Sequence, residues 1–428
     1  MKKFFFVFGI SLLLLTGLSG CINLDDLKYT VKMVLKRHID PAKLDTGLPI
    51  IKINTHNRRA ITSKKDYVTA DIEIVDPNNR DNNLKTTVEI RGRGNSSWSP
   101  VVLKKPYRLK FPKKISLFGY EKAKSWVLLA NNQESTLILD STAFELGNRL
   151  GVPFTPHYTH VELILNGSYG GSYVVTEQIQ VGRGRVDIDE NTGFLVEFDA
   201  HYDEDPKFRT SILELPIMIK SPEDLADDSG YDFVKTAINE LEAALFADSF
   251  PNNNYRDLID LDVFIDYIII QETTRNRDFS NGLSIYLYRD GKKDSKIKLG
   301  PLWDFDSGFD HIIKSGIYFQ DATGRFFSQD GSGKLFFSRF FEDPCFREKY
   351  QERWNQHYQD ILGMEDFIDH MGSLLEKSRQ VERYVWWWIK DNPQEQTERM
   401  KSWWRDRVNY LNTEINNPST RFPEEASG

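Results

Sequence analysis

From Pro49 onward, apolar and polar positions alternate with a period of two, the pattern of half-buried strands. Ile50-Ile51-Lys52-Ile53, Tyr67 to Ile74, Val88 to Arg91 and Tyr107 to Phe111 each predict a strand, with Pro, Asn and Asp clusters between them. A helix is predicted after a cap at Ser135 or Thr136. Leu137, Leu139, Phe144, Leu146 and Leu150 lie along it and Gly151 ends it. Strands return at Val161 to Leu165, Tyr173 to Gln178 and Phe194 to Phe198, and Asn166-Gly167 signals a tight hairpin turn. Beyond about residue 200 the spacing becomes helical. Tyr231 to Phe246, Leu261 to Thr273 and most of 345–415 predict helices. One β pair interrupts them, Leu283 to Tyr288 with Lys296 to Gly300, turning at Asp290-Gly291. A β-rich front lobe over 49–200 and a mainly helical rear lobe over 201–428 read as a bilobal α+β enzyme with a cleft between lobes.

The segment before Pro49 has a different texture. Lys2 and Lys3 precede an apolar run from Phe4 to Leu15, too short to span a membrane but suited to a signal segment. It ends in Leu18-Ser19-Gly20-Cys21, which resembles a bacterial lipobox. The expectation is a lipoprotein signal peptide over 1–20, a lipid anchor on Cys21 and a charged tether over 21–48. Asp25 and Asp26 follow the anchor closely. The location would be the bacterial cell envelope, exported and membrane-attached, at the outer membrane or the cell surface. An ordinary secretory signal with an incidental cysteine is the plainer alternative.

Composition narrows the chemistry. The 428 residues carry 55 Lys+Arg against 63 Asp+Glu, a net charge of −8, which disfavours general nucleic-acid binding. Two cysteines, Cys21 and Cys345, cannot build a disulfide framework or a Cys-rich zinc site. His157 and His160 stand three apart on an extended stretch and would face opposite ways. No Gly-x-Ser-x-Gly elbow or His-Glu-x-x-His helix is present.

Three constellations remain. Arg91-Gly92-Arg93-Gly94-Asn95-Ser96-Ser97-Trp98 interleaves guanidinium forks with glycines that let a ligand approach backbone. By itself it reads better as a polar turn. Lys104-Lys105-Pro106-Tyr107-Arg108-Leu109-Lys110 would put Arg108 and Lys110 on one face of a strand, against a solvated face as the bland reading. Asn276-Arg277-Asp278 and Trp303-Asp304-Phe305-Asp306 place carboxylates at element ends, on either side of a predicted hairpin. Such groups are hard oxygen ligands for Mg²⁺, and one can accept a hydroxyl proton. Trp303 and Phe305 argue that the second segment is partly buried.

Together these segments resemble the spore coat protein H (CotH) kinase family. The resemblance rests on Arg93-Gly94-Asn95-Ser96-Ser97-Trp98 and Lys105-Pro106-Tyr107-Arg108-Leu109-Lys110. It continues through Trp126-Val127-Leu128-Leu129-Ala130-Asn131, Leu165-Asn166-Gly167-Ser168-Tyr169-Gly170-Gly171-Ser172-Tyr173 and Thr176-Glu177-Gln178-Ile179. Its most specific block is Gly300-Pro301-Leu302-Trp303-Asp304-Phe305-Asp306. It implies an atypical protein-kinase-like fold that transfers phosphate from ATP to hydroxyls of a protein substrate, with Mg²⁺ or Mn²⁺. Asp278 matches the catalytic carboxylate and Asp304 the metal-binding one, with Asp306 beside it. Lys110, or else Lys105, would be the nucleotide lysine, with Arg93 and Arg108 neutralising charge. Glu145 would pair with that lysine, and Glu177 would lie near the adenine-binding linker. One departure stands out: Ser284 occupies the position where many relatives carry an Asn ligand, and the nearest amide is Asn281.

A rival reading is a non-catalytic surface lipoprotein with a degenerate kinase fold, binding a glycan or protein partner through Trp386-Trp387-Trp388 and Trp403-Trp404.

Overall fold

Alternation along the front strands is realised as a closed barrel in the computed structural model, which describes residues 37–100, 102–132, 136–222, 228–313, 317–319, 321–328, 330–386 and 392–417. The expected signal peptide, Cys21, most of the tether, Ser135, Trp387 and Trp388 lie outside the described residues. The barrel strands are β1 (Ile50–Thr55), β2 (Val68–Val75), β3 (Leu84–Gly92), β4 (Tyr107–Ile115), β5 (Ala123–Leu129), β6 (Tyr158–Leu165) and β7 (Ser168–Glu177). They are ordered β1-β2-β3-β4-β5-β7-β6. All neighbours pair antiparallel except β6 with β1, where Ile50 to Ile53 run parallel to Glu162 to Leu165 and close the ring. Ile53, Ala70, Ile90, Leu109, Trp126 and Val161 are among the side chains that fill its interior. Asn166 (φ 52°) and Gly167 (φ 79°) form the expected tight turn between β6 and β7.

This closure corrects the expected kinase-like architecture. The class is α+β, but the front is a seven-stranded barrel rather than the β-sheet lobe of a protein kinase. The physical reason is the β6–β1 pairing, which leaves no free sheet edge.

A second sheet, outside the barrel, comprises β8 (Phe194–Phe198), β9 (Lys207–Arg209), β10 (Pro216–Ser221), β11 (Ile285–Arg289) and β12 (Lys298–Leu299), in the order β12-β11-β8-β10-β9. The sequence pattern does not predict β5, β9 or β10. For β5 the cause is burial on both faces. Trp126 and Leu128 point into the barrel, while Val127 and Leu129 join the core outside it, so over these four residues no polar position marks the alternation.

The helix Leu139–Leu150 begins after Ile138, not at Thr136. Ser141 and Thr142 hydroxyls bond back to the Ile138 carbonyl at 3.0 and 2.7 Å. This helix, the helix Leu261–Thr273, the second sheet and the rear helices Pro344–Leu362, Met364–Leu374 and Pro393–Asn416 share one core with Val127, Leu129 and Val174 of the barrel wall. Trp354, Trp403 and Trp404 are part of that core, and Trp386 is buried against Tyr169 and Val385. Among the described residues no helix is long and apolar enough to cross a membrane.

The helix Glu376–Val385 is fastened to the barrel by a buried ion pair, Lys104 Nζ to Glu382 Oε1 at 2.6 Å. Lys104 also donates to the Ser172 carbonyl at 2.5 Å, and Glu382 accepts from the Ser172 N–H at 2.8 Å. Truncating one partner leaves the other charge buried and alone. Lys104→Met is therefore expected to lower the stability of the full chain by about 3–5 kcal/mol in urea denaturation. A loss within experimental error would contradict the clamp.

Candidate functional site

The site is built where three chain segments meet beside the barrel. The short helix Arg277–Asn281 is started by Asn276, whose Oδ1 accepts from the Asp278 N–H at 3.2 Å. The same amide donates through Nδ2 to the Asp304 carbonyl at 3.1 Å, so one side chain aligns both acidic segments. Gly282 ends the helix at φ 72°, and a Cβ there would meet the Phe198 ring at 2.7 Å, so the turn needs glycine. Behind it, Ser280 Oγ donates to the Phe326 carbonyl at 3.2 Å, and the Phe326 N–H donates to Glu272 at 2.7 Å. Buried Arg407, from the last helix, donates to the Glu272 carbonyl and to the carbonyls of Ala322 and Gly324.

The loop Trp303–Asp306 alternates strictly. Trp303 and Phe305 are buried in the main core, while Asp304 and Asp306 are half-buried beside Asp278. The backbone is held by Asp140, whose Oδ1 accepts from the Phe305 N–H at 2.9 Å. Asp304 is left-handed, φ 64°, an unfavourable conformation for a non-glycine residue. One carboxylate oxygen from each of Asp278, Asp304 and Asp306 lies within 4.8 Å of the others.

That proximity governs the electrostatics. Burial first, then the charges of Asp304 and Asp199, push the Asp278 carboxyl up to about 8. Asp306 is driven well above the carboxylate range by burial and by Asp304, Asp278 and Asp140. Asp304 is also raised by burial, but Arg93 opposes the shift and Ser284 Oγ donates to its Oδ2 at 3.1 Å. Donors that are all oxygen, with excess negative charge, fit a hard divalent cation such as Mg²⁺ or Mn²⁺ better than a soft metal.

The structure therefore brings Asp278, Asp304, Asp306 and Arg93 together. Arg93 reaches over the Trp303 ring at 5.3 Å from the loop after β3. Arg108 stands on the outer wall of the barrel, opposite Arg91 and Val127, on the side that packs against the main core. The other sequence candidates are held elsewhere. Lys110 is exposed over Tyr67 at 5.6 Å, and Lys105 donates to the carbonyls of Ser99 and Trp98 at 2.5 and 3.3 Å. Glu145 pairs with Arg149 at 2.9 Å and forms no pair with Lys110. Glu177 ends β7, where it binds the His157 backbone and ring, each at 2.8 Å, at the start of the connection to the second sheet. Asn281 accepts at its carbonyl from Ser332 Oγ at 3.1 Å, and it is Ser284, not Asn281, that bonds Asp304.

Sequence reasoning misses Asp140 and Asp199. Asp199 is buried at the end of β8 and accepts from the Ser284 N–H at 3.1 Å. Its position just past a strand is the signal that could have found it.

Because the folded-state affinity of Asp278 for a proton is raised, its contribution to stability is full below the unfolded carboxyl range, about pH 4, and is lost as pH rises through about 8. In chelator, the full chain should lose stability across that window, and Asp306→Asn should stabilise it at pH 7 on the order of 1 kcal/mol by relieving repulsion. Denaturation midpoints at several pH values measure both effects. A pH-independent midpoint and a destabilised Asp306→Asn would contradict the mutual repulsion.

No curated protein matches the chain. A family model described as CotH kinase protein matches residues 89–411, which include β4 to β12 and all three clustered aspartates. The chain belongs to the CotH kinase protein family.

Proposed function

We propose that the protein transfers the γ-phosphate of ATP to a hydroxyl of a protein substrate. The observation that carries this reading is the convergence of Asp278, Asp304 and Asp306 under Arg93, in a chain of this family. Asp304 and Asp306 would hold Mg²⁺ or Mn²⁺, which when bound supplies charge neutralisation to the phosphate oxygens. Asp278 accepts a hydrogen bond from the acceptor hydroxyl and orients it. Arg93 offsets charge at the phosphates from the barrel side. Arg108 is a second candidate for the same task. It lies on the outer wall of the barrel, directly opposite Arg91 of β3. Asn276, Asp140 and Ser284 position the carboxylates and keep their own bonds.

The proposal includes the expected setting, the bacterial cell envelope, with a lipid on Cys21 as the anchor. The aromatic-platform alternative has less support, since Trp386, Trp403 and Trp404 are buried.

The test is incubation of the full chain with γ-labelled ATP and Mg²⁺ or Mn²⁺, followed by detection of label on the protein or on added casein. Wild type is expected to transfer label, and Asp278→Ala and Asp304→Ala to lose at least about 10²-fold. ATP with Mg²⁺ should raise the melting temperature of wild type and of Asp278→Ala, and much less that of Asp304→Ala. Absence of both label and melting shift in wild type would refute the reading.

A further inference from the structure

Next to the three aspartates lies a second arrangement of a carboxylate and an imidazole. Asp199 closes β8, and the chain turns there, the Tyr202 N–H donating to the Asp199 carbonyl at 3.1 Å. The turn is stitched to the end of the aspartate helix, because the Ala200 N–H donates to the Gly282 carbonyl at 2.9 Å. Gly282 in turn follows the helix that carries Asp278, and the Leu283 N–H returns to the Asp278 carbonyl at 2.9 Å. Two short backbone links therefore fix the position of His201 relative to Asp278.

The ring is fixed as well. Asp199 Oδ1 lies 2.7 Å from both the His201 N–H and the His201 Nδ1, while Oδ2 accepts from the Ser284 N–H. Asp199 is buried, and its carboxylate bonds to this turn and to Ser284, the residue that bonds Asp304. A carboxylate at Nδ1 makes that nitrogen the one that carries the proton and leaves the Nε2 lone pair free. Among the described residues Nε2 has no hydrogen-bond partner, and the side chain is half-exposed. Asp199, which holds the ring, is joined through Ser284 to the Asp304 carboxylate. The structure thus holds a pre-set imidazole at the edge of the cluster, oriented by a buried acid.

We propose that His201 is a catalytic residue of this site, with Asp199 as its positioning residue: Nε2 receives the proton of the acceptor hydroxyl. This rests on the phosphotransfer reading and deepens it. As the hydroxyl oxygen forms its bond to the γ-phosphorus, the bond from that phosphorus to the β–γ bridging oxygen breaks and ADP leaves. The hydroxyl proton moves to His201 Nε2, and the imidazolium is stabilised by Asp199 until the proton passes to water. Asp278 orients the hydroxyl, and His201 takes its proton.

The test compares wild type and His201→Ala as full chains with γ-labelled ATP and Mg²⁺ under single-turnover conditions, with and without added imidazole. His201→Ala is expected to lose about 10²-fold or more in rate at saturating ATP. Its half-saturating ATP concentration and its Mg²⁺-induced melting shift should stay at wild-type values, and free imidazole should restore part of the rate. A His201→Ala rate within about threefold of wild type would overturn the assignment. So would a loss that imidazole does not relieve and that comes with a lost melting shift, since that pattern marks a structural role. Absence of transfer by wild type removes the phosphotransfer reading itself, and the proton-acceptor role falls with it.

Discussion

Three carboxylates whose oxygens approach within 4.8 Å repel one another, and the surrounding structure exists in a form that resists that repulsion. Burial makes it worse, since it penalises each charge and drives Asp278 and Asp306 toward protonation in the absence of a cation. What opposes it is packing. Trp303 and Phe305 are locked in the core, and Asp304 is thereby held in a left-handed conformation. Asn276 and Asp140 satisfy the backbone on either side. Natural proteins carry such local conflict mainly at functional sites, where a ligand resolves it.

The rest of the fold follows from this need for a rigid frame. The barrel supplies Arg93 on a short loop after β3, and its outer wall joins the core that holds the aspartate segments. The second sheet brings β8 and β11 side by side, which sets Asp199 against Ser284 and so against Asp304. The last helix reaches back through Arg407 to Glu272, which binds the Phe326 backbone, and Ser280 of the aspartate helix binds the same residue. Elements far apart in the chain are thus tied to one short helix.

The sequence made the chemistry more legible than the architecture. Asp304 and Asp306 could be read because their aromatic neighbours alternate with them, and a two-residue period places adjacent side chains on opposite sides. Asp278 could be read because an Asn-x-Asp segment after a very apolar helix marks an element end. Barrel closure could not, because it depends on a parallel contact between β1 and β6, which are separated by most of the front half. The fifth strand was hidden by burial on both faces. Glu145 and Lys110 each look available in sequence, yet Glu145 has a nearer cation one helical turn away in Arg149, and Lys110 rests on Tyr67. Asp199 and His201 carry no local motif, and their relation to the site arises only when β8 pairs with β11.

The phosphotransfer reading requires the aspartate cluster to bind a divalent cation. Titration of the full chain with Mn²⁺, followed by the electron paramagnetic resonance signal of the free ion, tests this requirement. Wild type is expected to show saturable binding that Mg²⁺ competes away and that Asp304→Ala lacks. Equal binding by wild type and Asp304→Ala, or none by wild type, would contradict it.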